Sequence, residues 1–424
     1  MLEKFKRFPL VRFFYRFPGL VSFYHLSWAF LGAWFCGFPS KKIFVIGITG
    51  TKGKTTTVEL LNAILTAAGK KTALISSLRV KIGDQSEKNK IGNSMPGRAY
   101  LQKFLKKAVA AKCNYALVEV TSQGAVLSRH KFINWNAGVL TNLAPEHIES
   151  HGSFEKYRDA KLAFLKYVGE KGGEIFLNNG DKHADFFKDK LSKYNPRLYS
   201  RDDKEIADIF PGAEPMRSFS GEPRFFPSDF NKDNVAAASA VALALGIPGK
   251  TIKETVHGFK GVPGRMEFAQ RRPFSVVIDY AHTPDSLKAV YSSLKPNAHK
   301  LICVLGAEGG GRDKWKRPEM GKIAAEYCDE IVLTDEDPYD EKPEEILKQI
   351  ESGFSLSAKR QAVSSRVILD RREAIKEAIG SAKEGDVVVL TGKGSEDFIH
   401  VAGGKKIPWN ELEVAEDILR EARG

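Results

Sequence analysis

A chain of 424 residues has ample length for two or three domains with real hydrophobic cores. Its 65 Lys and Arg against 52 Asp and Glu give a formal net charge of +13, which suits anionic partners such as nucleotides, carboxylates or a negative membrane surface. Outside the N-terminal segment no basic block carries interleaved aromatics, so nucleic acid is set aside; Cys36, Cys113, Cys303 and Cys328 are scattered without a C-x-x-C pair, so neither a disulfide framework nor a zinc site is expected and a reducing cytosol fits.

The first element, "FPGLVSFYHLSWAFLGAWFCGFPS" from Phe17 to Ser40, contains no Asp, Glu, Lys or Arg. Lys4, Lys6, Arg7, Arg12 and Arg16 precede it, and Lys41 and Lys42 follow. Its length would allow a membrane span, but Pro18, His25 and modest aliphatic content argue against one. The small-residue cleavage pattern of a signal peptide is absent. Aromatics with basic flanks describe a helix in a membrane interface, or one docked on the next domain.

From Lys41 to about Gly261 strands alternate with helices, which implies a parallel sheet with helices on both faces. "KKIFVIGITG" reads as a strand, and "VELLNAILTAAG" as a helix. Between them lies "GITGTKGKTTT", Gly47 to Thr57, a turn built for phosphate. Gly50 and Gly53 let backbone N–H groups converge, and the helix N-terminus adds unpaired N–H groups. Lys54 supplies a mobile cation and the Thr55 hydroxyl can ligate Mg²⁺; Thr51, Lys52 and Thr56 complete the loop. The strict phosphate-loop spacing would place glycine at 48, where this chain has Ile48.

"YALVEVTS" and "AGVLTNL" read as buried strands, "SFEKYRDAKLAFLKYV" and "NVAAASAVALALGI" as helices. Glu119 stands at the carboxyl end of its strand, the end that faces the ligand crevice in open α/β sheets. It is either a Mg²⁺ ligand or a strand-end glutamate paired with a lysine. Glu146, His147, Glu149 and His151 crowd one polar loop, and Lys161 follows His147 by fourteen residues inside a helix. By pattern alone Lys161 is an ordinary helix lysine. "GVPGRMEF", Gly261 to Phe268, has the composition of a hinge. Beyond it "FSVVIDYA", "LICVLGA", "EIVLTDE", "SRVILD" and "DVVVLTG", each trailed by a helical stretch, predict a separate Rossmann-like domain. The expected architecture is therefore α/β: an aromatic, basic segment over 1–40, a central P-loop parallel-sheet ATPase domain over 41–261, and a Rossmann-like α/β domain over 262–424.

"GITGTKGKTTT", "EVTSQG", "TNLAPEHIESHG", "YRDAKLAF", "GRME", "DYAHTPDSL", "GGGRDKWKRPEMG", "DEDPYDEKP", "DRREAI" and "TGKGSEDF" occur in that order. Together they resemble the Mur ligases, most closely the UDP-N-acetylmuramyl-tripeptide synthetases, from about Lys41 to the C-terminus. The resemblance implies an ATP-dependent, ADP-forming ligase of peptidoglycan synthesis. It would activate a carboxylate of a muramyl peptide as an acyl phosphate and join it to an amino acid. It implies ATP and Mg²⁺ as cofactors. Lys54, His147 and Lys161 would be catalytic, with Thr55 and Glu119 on one metal, His147 at a second, and Lys161 carbamylated into a metal-binding anion. Asn231 and Asn234 match the adenine-side asparagines, and Arg265 and Asp279 match nucleotide contacts. "NSMPG" (Asn93, Ser94, Met95, Pro96, Gly97) would meet the sugar-peptide. Arg312, Asp337, Tyr339, Gly392 and Glu396 would line the amino-acid pocket.

Three departures stand out. The family's N-terminal uridine-nucleotide domain has no counterpart, and the aromatic segment stands in its place. Asp337 and Tyr339 replace the asparagine and arginine of the Asp-Asn-Pro-Arg loop of diaminopimelate-adding members. Ser395 replaces a usual histidine. Losing that arginine and gaining Asp337, with Asp340 and Glu341 close behind, predicts a pocket that favours lysine or ornithine over meso-diaminopimelate. The rival readings are a Mur-like ligase with a lipid-linked or polyglutamate-type acceptor, and a non-catalytic nucleotide-binding relative. A cytoplasmic enzyme with peripheral membrane contact through residues 1–40 is expected. The sequence leaves the oligomeric state open.

Overall fold

The computed structural model describes residues 18–91, 93–97, 99–209, 228–311, 313–357 and 364–422. The chain forms two compact bodies. The first comprises the segments up to Pro145, Ser153–Ile209 and Asp233–Val256. The second comprises Glu146–Gly152, the residues leading to Lys232, and His257 onward.

The first body is built on an eight-stranded sheet in the order β4-β3-β2-β5-β1-β6-β7-β8. Its strands are β1 (Phe44–Thr49), β2 (Thr72–Ile75), β3 (Arg79–Ile82), β4 (Gln85–Lys88), β5 (Tyr115–Glu119), β6 (Ala137–Leu140), β7 (Glu174–Asn178) and β8 (Arg197–Tyr199). The run from β2 to β8 is parallel, as alternating strands and helices predict. The expectation of a wholly parallel sheet is corrected at one edge, where β3 and β4 return antiparallel. Only short turns separate these strands from β2, too short for a crossover helix. β4 reads Gln-Ser-Glu-Lys and is exposed throughout, so it carries no apolar signal. β1 is buried from Val45 to Thr49, because helices cover both faces. The approach is close: a Cβ at Gly47 would stand 2.5 Å from the Phe164 ring.

Helix α1 (Pro18–Phe35) packs against α3 (Ala99–Ala110), after α2 (Lys54–Ala67) in the chain. It buries a stripe of small residues, Ala29 and Ala33, beside His25. From Phe23 onward its aromatic residues turn outward: Phe35 is 72% exposed, Phe23 68%, Trp34 58%, and Tyr24 and Trp28 are near half. Among the described residues no helix is long and apolar enough to cross a membrane.

The second body has a six-stranded sheet, β13-β12-β11-β14-β10-β9. These are β9 (Glu267–Gln270), β10 (Ser275–Asp279), β11 (Leu301–Leu305), β12 (Glu330–Leu333), β13 (Ser364–Val367) and β14 (Val387–Thr391). All pair in parallel except β9, so the hinge-like segment runs straight into an antiparallel edge strand. Separate apolar clusters cover the two faces: Val277, Cys303 and Val389 point one way, Val276, Val304 and Leu390 the other. That alternation is the period of two expected of a sheet buried on both sides. After β14 a hairpin of β15 (Phe398–Val401) and β16 (Lys405–Pro408) precedes the last helix, where a helix alone was expected.

The cysteine reading is also corrected. Cys303 and Cys328 form a disulfide with Cα atoms 6.1 Å apart. Cys303 lies in β11, and Cys328 ends the helix that leads into the neighbouring β12. The crossover brings the two sulfurs together although 25 residues separate them.

Candidate active site

In the first body β1 is flanked by β5 and β6, so three strand ends converge. The turn after β1 carries Gly50 to Gly53, β5 ends on Glu119, and β6 leads into Thr141 and Asn142. Gly50 has φ 149°, and a Cβ there would stand 1.9 Å from Thr141 Oγ1. Gly53 has φ 80° and is the N-cap of α2. A Cβ on it would fall 2.0 Å from Asn234 Oδ1, a residue of the helix Asp229–Ala244. Both glycines are thus required by backbone conformation and by a neighbouring side chain. Asn142 fastens the turn, accepting from Lys52 N at 2.8 Å and donating to Lys52 O at 3.0 Å. Thr141 Oγ1 donates to the same carbonyl at 2.6 Å.

Lys54 opens α2, and its Nζ curls back over the turn to the carbonyls of Gly50 (3.0 Å) and Thr51 (2.8 Å). Thr55 Oγ1 donates to Glu119 Oε2 at 3.0 Å, and Ser77 N donates to the same oxygen at 2.9 Å. Of the two readings of Glu119, the structure joins it to the loop threonine. Thr56 is buried one residue further along α2. Lys161 is not an ordinary surface lysine. It sits in the helix Phe154–Glu170, is 2% exposed, and its Nζ donates to Gly50 O at 2.7 Å. Its ammonium lies over the Tyr157 ring, whose hydroxyl is 3.0 Å from Thr51 Oγ1. Thr141, Asn142 and Tyr157 stand inside the motifs "TNLAPEHIESHG" and "YRDAKLAF", but their grip on the turn has no signal in the local pattern.

Asn93, Ser94, Met95 and Pro96 lie beside the segment following Glu119. Asn93 Oδ1 accepts from Met95 N, and Met95 is buried with its sulfur where a Cβ on Gly124 would go. His147 is exposed, has φ 55°, and caps a one-turn helix, Ile148–His151, where a loop was expected. His147 and Asn231 fall in segments grouped with the second body, and Asn231 is buried there. Among the described residues no group of three or more His, Cys, Asp and Glu is arranged for a metal.

The loops at the carboxyl edge of the second sheet are tied to one another. Asp279, at the end of β10, spends its carboxylate on Met266 N and Ala281 N, each at 2.8 Å. It thereby joins the "GRME" and "DYAH" loops. Arg265 lies over the Tyr280 ring, 4.2 Å from its centroid. Lys393 is wholly buried, its Nζ 2.9 Å from Asp337 Oδ1 and 2.6 Å from Glu396 Oε2. Tyr280 donates its hydroxyl to the other Glu396 oxygen at 3.1 Å. Burial would lower the Lys393 pKa, but the two carboxylates outweigh it and hold it above the ordinary value. Burial raises the Asp337 pKa against the pull of Lys393. Arg371, also buried, donates to the carbonyls of Asp335 (3.1 Å) and Thr391 (2.8 Å). It clamps the loops that carry Asp337 and Lys393.

The three carboxylates singled out in the sequence, Asp337, Asp340 and Glu341, all have partners in the structure. Asp337 is paired with Lys393 and also accepts from His400 N at 2.8 Å. Asp340 accepts from Gly403 N at 2.8 Å. Glu341 is bound by Arg317 and Lys314, each at 3.0 Å; these bonds overcome its partial desolvation and bring its pKa to about 2. Tyr339 stacks on His400, centroids 5.0 Å apart and planes 16° from parallel. Gly392 has φ 104°, and a Cβ there would meet Glu336 Oε2 at 2.5 Å. Arg312 lies outside the described residues. Lys393 was missed in the sequence, standing unremarked between Gly392 and Glu396.

A nucleotide-binding turn on one mainly parallel sheet and a second α/β body with interlocked strand-end loops define the class, an ATP-dependent ligase. The Mur ligase middle domain matches residues 48–242, and the Mur ligase glutamate ligase domain matches residues 264–394. The chain is 32% identical over 422 residues to the UDP-N-acetylmuramoyl-L-alanyl-D-glutamate–2,6-diaminopimelate ligase of Geobacillus kaustophilus, covering 95% of this chain and 84% of the relative. The enzyme of the same name from Gloeobacter violaceus is 36% identical over 401 residues, covering 91% and 79%. A solved structure of such a ligase superposes with a TM-score of 0.59 at 25% identity, covering 90% of this chain and 79% of that one. E. coli FolC, solved with DHPP and ADP, shares the fold at 17% identity, with a TM-score of 0.64 and coverage of 94% and 93%. The chain belongs to the Mur ligase family. It is an enzyme, an ATP-dependent, ADP-forming acid–amino-acid ligase of peptidoglycan synthesis.

Proposed function

We propose that this ligase adds a diamino acid to the free carboxylate of a muramyl-peptide precursor. The observation that carries the reading is the convergence of Lys54, Thr55, Glu119 and Lys161 on one glycine turn. A carboxylate oxygen of the acceptor attacks the γ-phosphorus of ATP, and the bridging oxygen leaves with ADP. The amine nitrogen of the amino acid then attacks the acyl carbon. Phosphate leaves with the C–O bonding pair, and the nitrogen gives up a proton.

The loop amides and Lys54 hold the phosphates in line and oppose the charge that spreads over them. The donor set at Thr55 and Glu119 fits Mg²⁺, since both offer hard oxygens at the helix N-terminus where the phosphates belong. Mg²⁺ bound there would neutralise phosphate oxygens. Lys161 is proposed to carry a carbamate, which turns a buried ammonium into a metal-binding anion, and His147 is assigned to a second metal. Asn231 and Asn234 are assigned to the adenine, Arg265 and Asp279 to the nucleotide, and Asn93 to Pro96 to the sugar-peptide. In the second body Arg312, Asp337, Tyr339, Gly392 and Glu396 are assigned to the amino acid, with Lys393 and Tyr280 as positioning residues. Residues 1–40 are proposed to make peripheral contact with a membrane, supported by the outward-facing aromatics of α1.

The test is mass spectrometry of products after incubation with ATP, Mg²⁺, UDP-linked and lipid-linked muramyl peptides, and a mixture of amino acids. An ATP-dependent mass gain of one amino-acid residue on either acceptor is expected. ATP hydrolysis without an adduct on any muramyl peptide would overturn the reading.

A further inference from the structure

A helix on the surface of a globular body normally buries its large apolar side chains and exposes polar ones. α1 does the reverse. Its buried stripe is His25, Ala29 and Ala33, while Phe23, Tyr24, Trp28, Phe30, Leu31, Trp34 and Phe35 face outward. At 3.6 residues per turn these seven span an arc of about 160°. Seating the helix on alanines holds it close to α3 and commits every bulky ring to the outside. Beside it runs an open groove of about 350 Å³ lined by Leu26, Ser27, Phe30, Leu31 and Phe132. The Phe30 and Phe132 rings meet edge-on at 5.3 Å in its wall.

The sequence flanking the helix is basic. Residues 1–42 contain Lys4, Lys6, Arg7, Arg12, Arg16, Lys41 and Lys42 against the single acid Glu3, which is seven minus one, or net +6. Lys41 and Lys42 are exposed directly after α1, and α3 exposes Lys103, Lys106 and Lys107. Tryptophan and tyrosine bordered by lysine and arginine is the composition that partitions into the headgroup layer of an anionic bilayer. A second copy meeting this face would bring two segments of net +6 together, which opposes self-association. Anionic headgroups complement that charge, at a gain that accumulates with each basic residue.

We propose that the aromatic face of α1 docks this enzyme on an anionic lipid surface, the rings lying in the interface and the groove taking the end of an acyl chain. The proposal gives a face and a lipid class to the peripheral contact proposed above, and rests on that reading.

The experiment uses the full chain and vesicles of phosphatidylcholine with or without phosphatidylglycerol. Two variants are compared, Trp34→Ser with Phe35→Ser, and Lys41→Glu with Lys42→Glu; all four positions are exposed, so the fold should persist. Wild type should sediment with phosphatidylglycerol vesicles and bind at least about tenfold more weakly to phosphatidylcholine alone. Each variant should lose about tenfold in partitioning, and about 0.5 M NaCl should release wild type. Vesicle binding unchanged in the aromatic variant would overturn the proposal. So would an oligomer in wild type that the aromatic variant dissolves, because a second copy would then be the occupant. Ligation of both the UDP-linked and the lipid-linked acceptor is measured in parallel. Ligation without vesicle binding sinks the docking alone, and vesicle binding without ligation sinks the catalytic reading alone.

Discussion

The hydroxyl of Thr55 and the carboxylate of Glu119 meet at 3.0 Å although 64 residues separate them in the chain. The contact exists because β5 lies beside β1 and both end at the same edge of the sheet. Glu119→Gln keeps the shape and removes the charge. Its ATP turnover should fall at least about a hundredfold, with part of the loss recovered at high Mg²⁺. Steady-state kinetics across a magnesium series checks this, and turnover within a factor of two of wild type would remove Glu119 from the metal site.

Lys161→Ala should reduce ligation severely while leaving nucleotide binding within a few-fold of wild type, since its bond to Gly50 O is one of several that hold the turn. Added short carboxylates should restore part of the activity by standing in for the carbamate. Activity near wild type in the unsupplemented variant would rule the carbamate out. Lys54→Ala, by contrast, should abolish ATP turnover with no rescue.

Much of this was legible before any coordinates, and the limits have physical causes. The glycine turn, Glu119 at a strand end and the helix bearing Lys161 follow from local pattern, because strand, turn and helix are set by neighbouring residues. The partners of those residues do not. That Asn142 would bracket Lys52, or that Lys393 would sit between Asp337 and Glu396, depends on which strands lie side by side. β3 and β4 escaped notice because four-residue strands rich in polar residues carry little periodic signal. Cys303 and Cys328 looked scattered because their meeting is a property of the crossover. The aromatic content of α1 was plain, but which side it turned outward was not.

Gly53→Ala tests the cradle. The added methyl would need a left-handed backbone and would press on Asn234. Together these should weaken ATP binding by about tenfold or more. Titration calorimetry with a non-hydrolysable nucleotide reads the effect.

In the second body, burial and the nearby Glu308 push Glu336 up to about 8. The unfolded value is about 4.5, so the folded state holds the extra proton between those limits. Stability from this group is full below pH 4.5 and is lost as pH rises through 8. Glu336→Gln should flatten that dependence. At pH 8.5 its melting temperature should exceed that of wild type by about 3 °C or more, and at pH 5 the two should nearly coincide. Calorimetry at the two pH values decides it, and parallel wild-type and variant profiles would refute the assignment.

The amino acid added is open to direct competition. Tyr339 offers no guanidinium fork for a distal carboxylate, and Asp337 with Glu396 carries two negative charges against one at Lys393. Lysine or ornithine should therefore dominate the product when supplied in equal amounts with meso-diaminopimelate. A product made mainly with meso-diaminopimelate would overturn this. If lysine or ornithine dominates, Tyr339→Arg should shift the ratio towards meso-diaminopimelate.

The buried Lys393 also bears on how such an enzyme can change over evolutionary time. Removing one partner of a buried ion pair costs about 3–5 kcal/mol, whereas replacing both together is often close to neutral. A single step from Asp337 to asparagine would remove one of the two carboxylates that neutralise Lys393, and a single change at Lys393 would strand Asp337. Change at this buried pair is therefore easiest when both residues change together. Sequences that differ at one of these two positions, 56 places apart in the chain, should therefore tend to differ at the other.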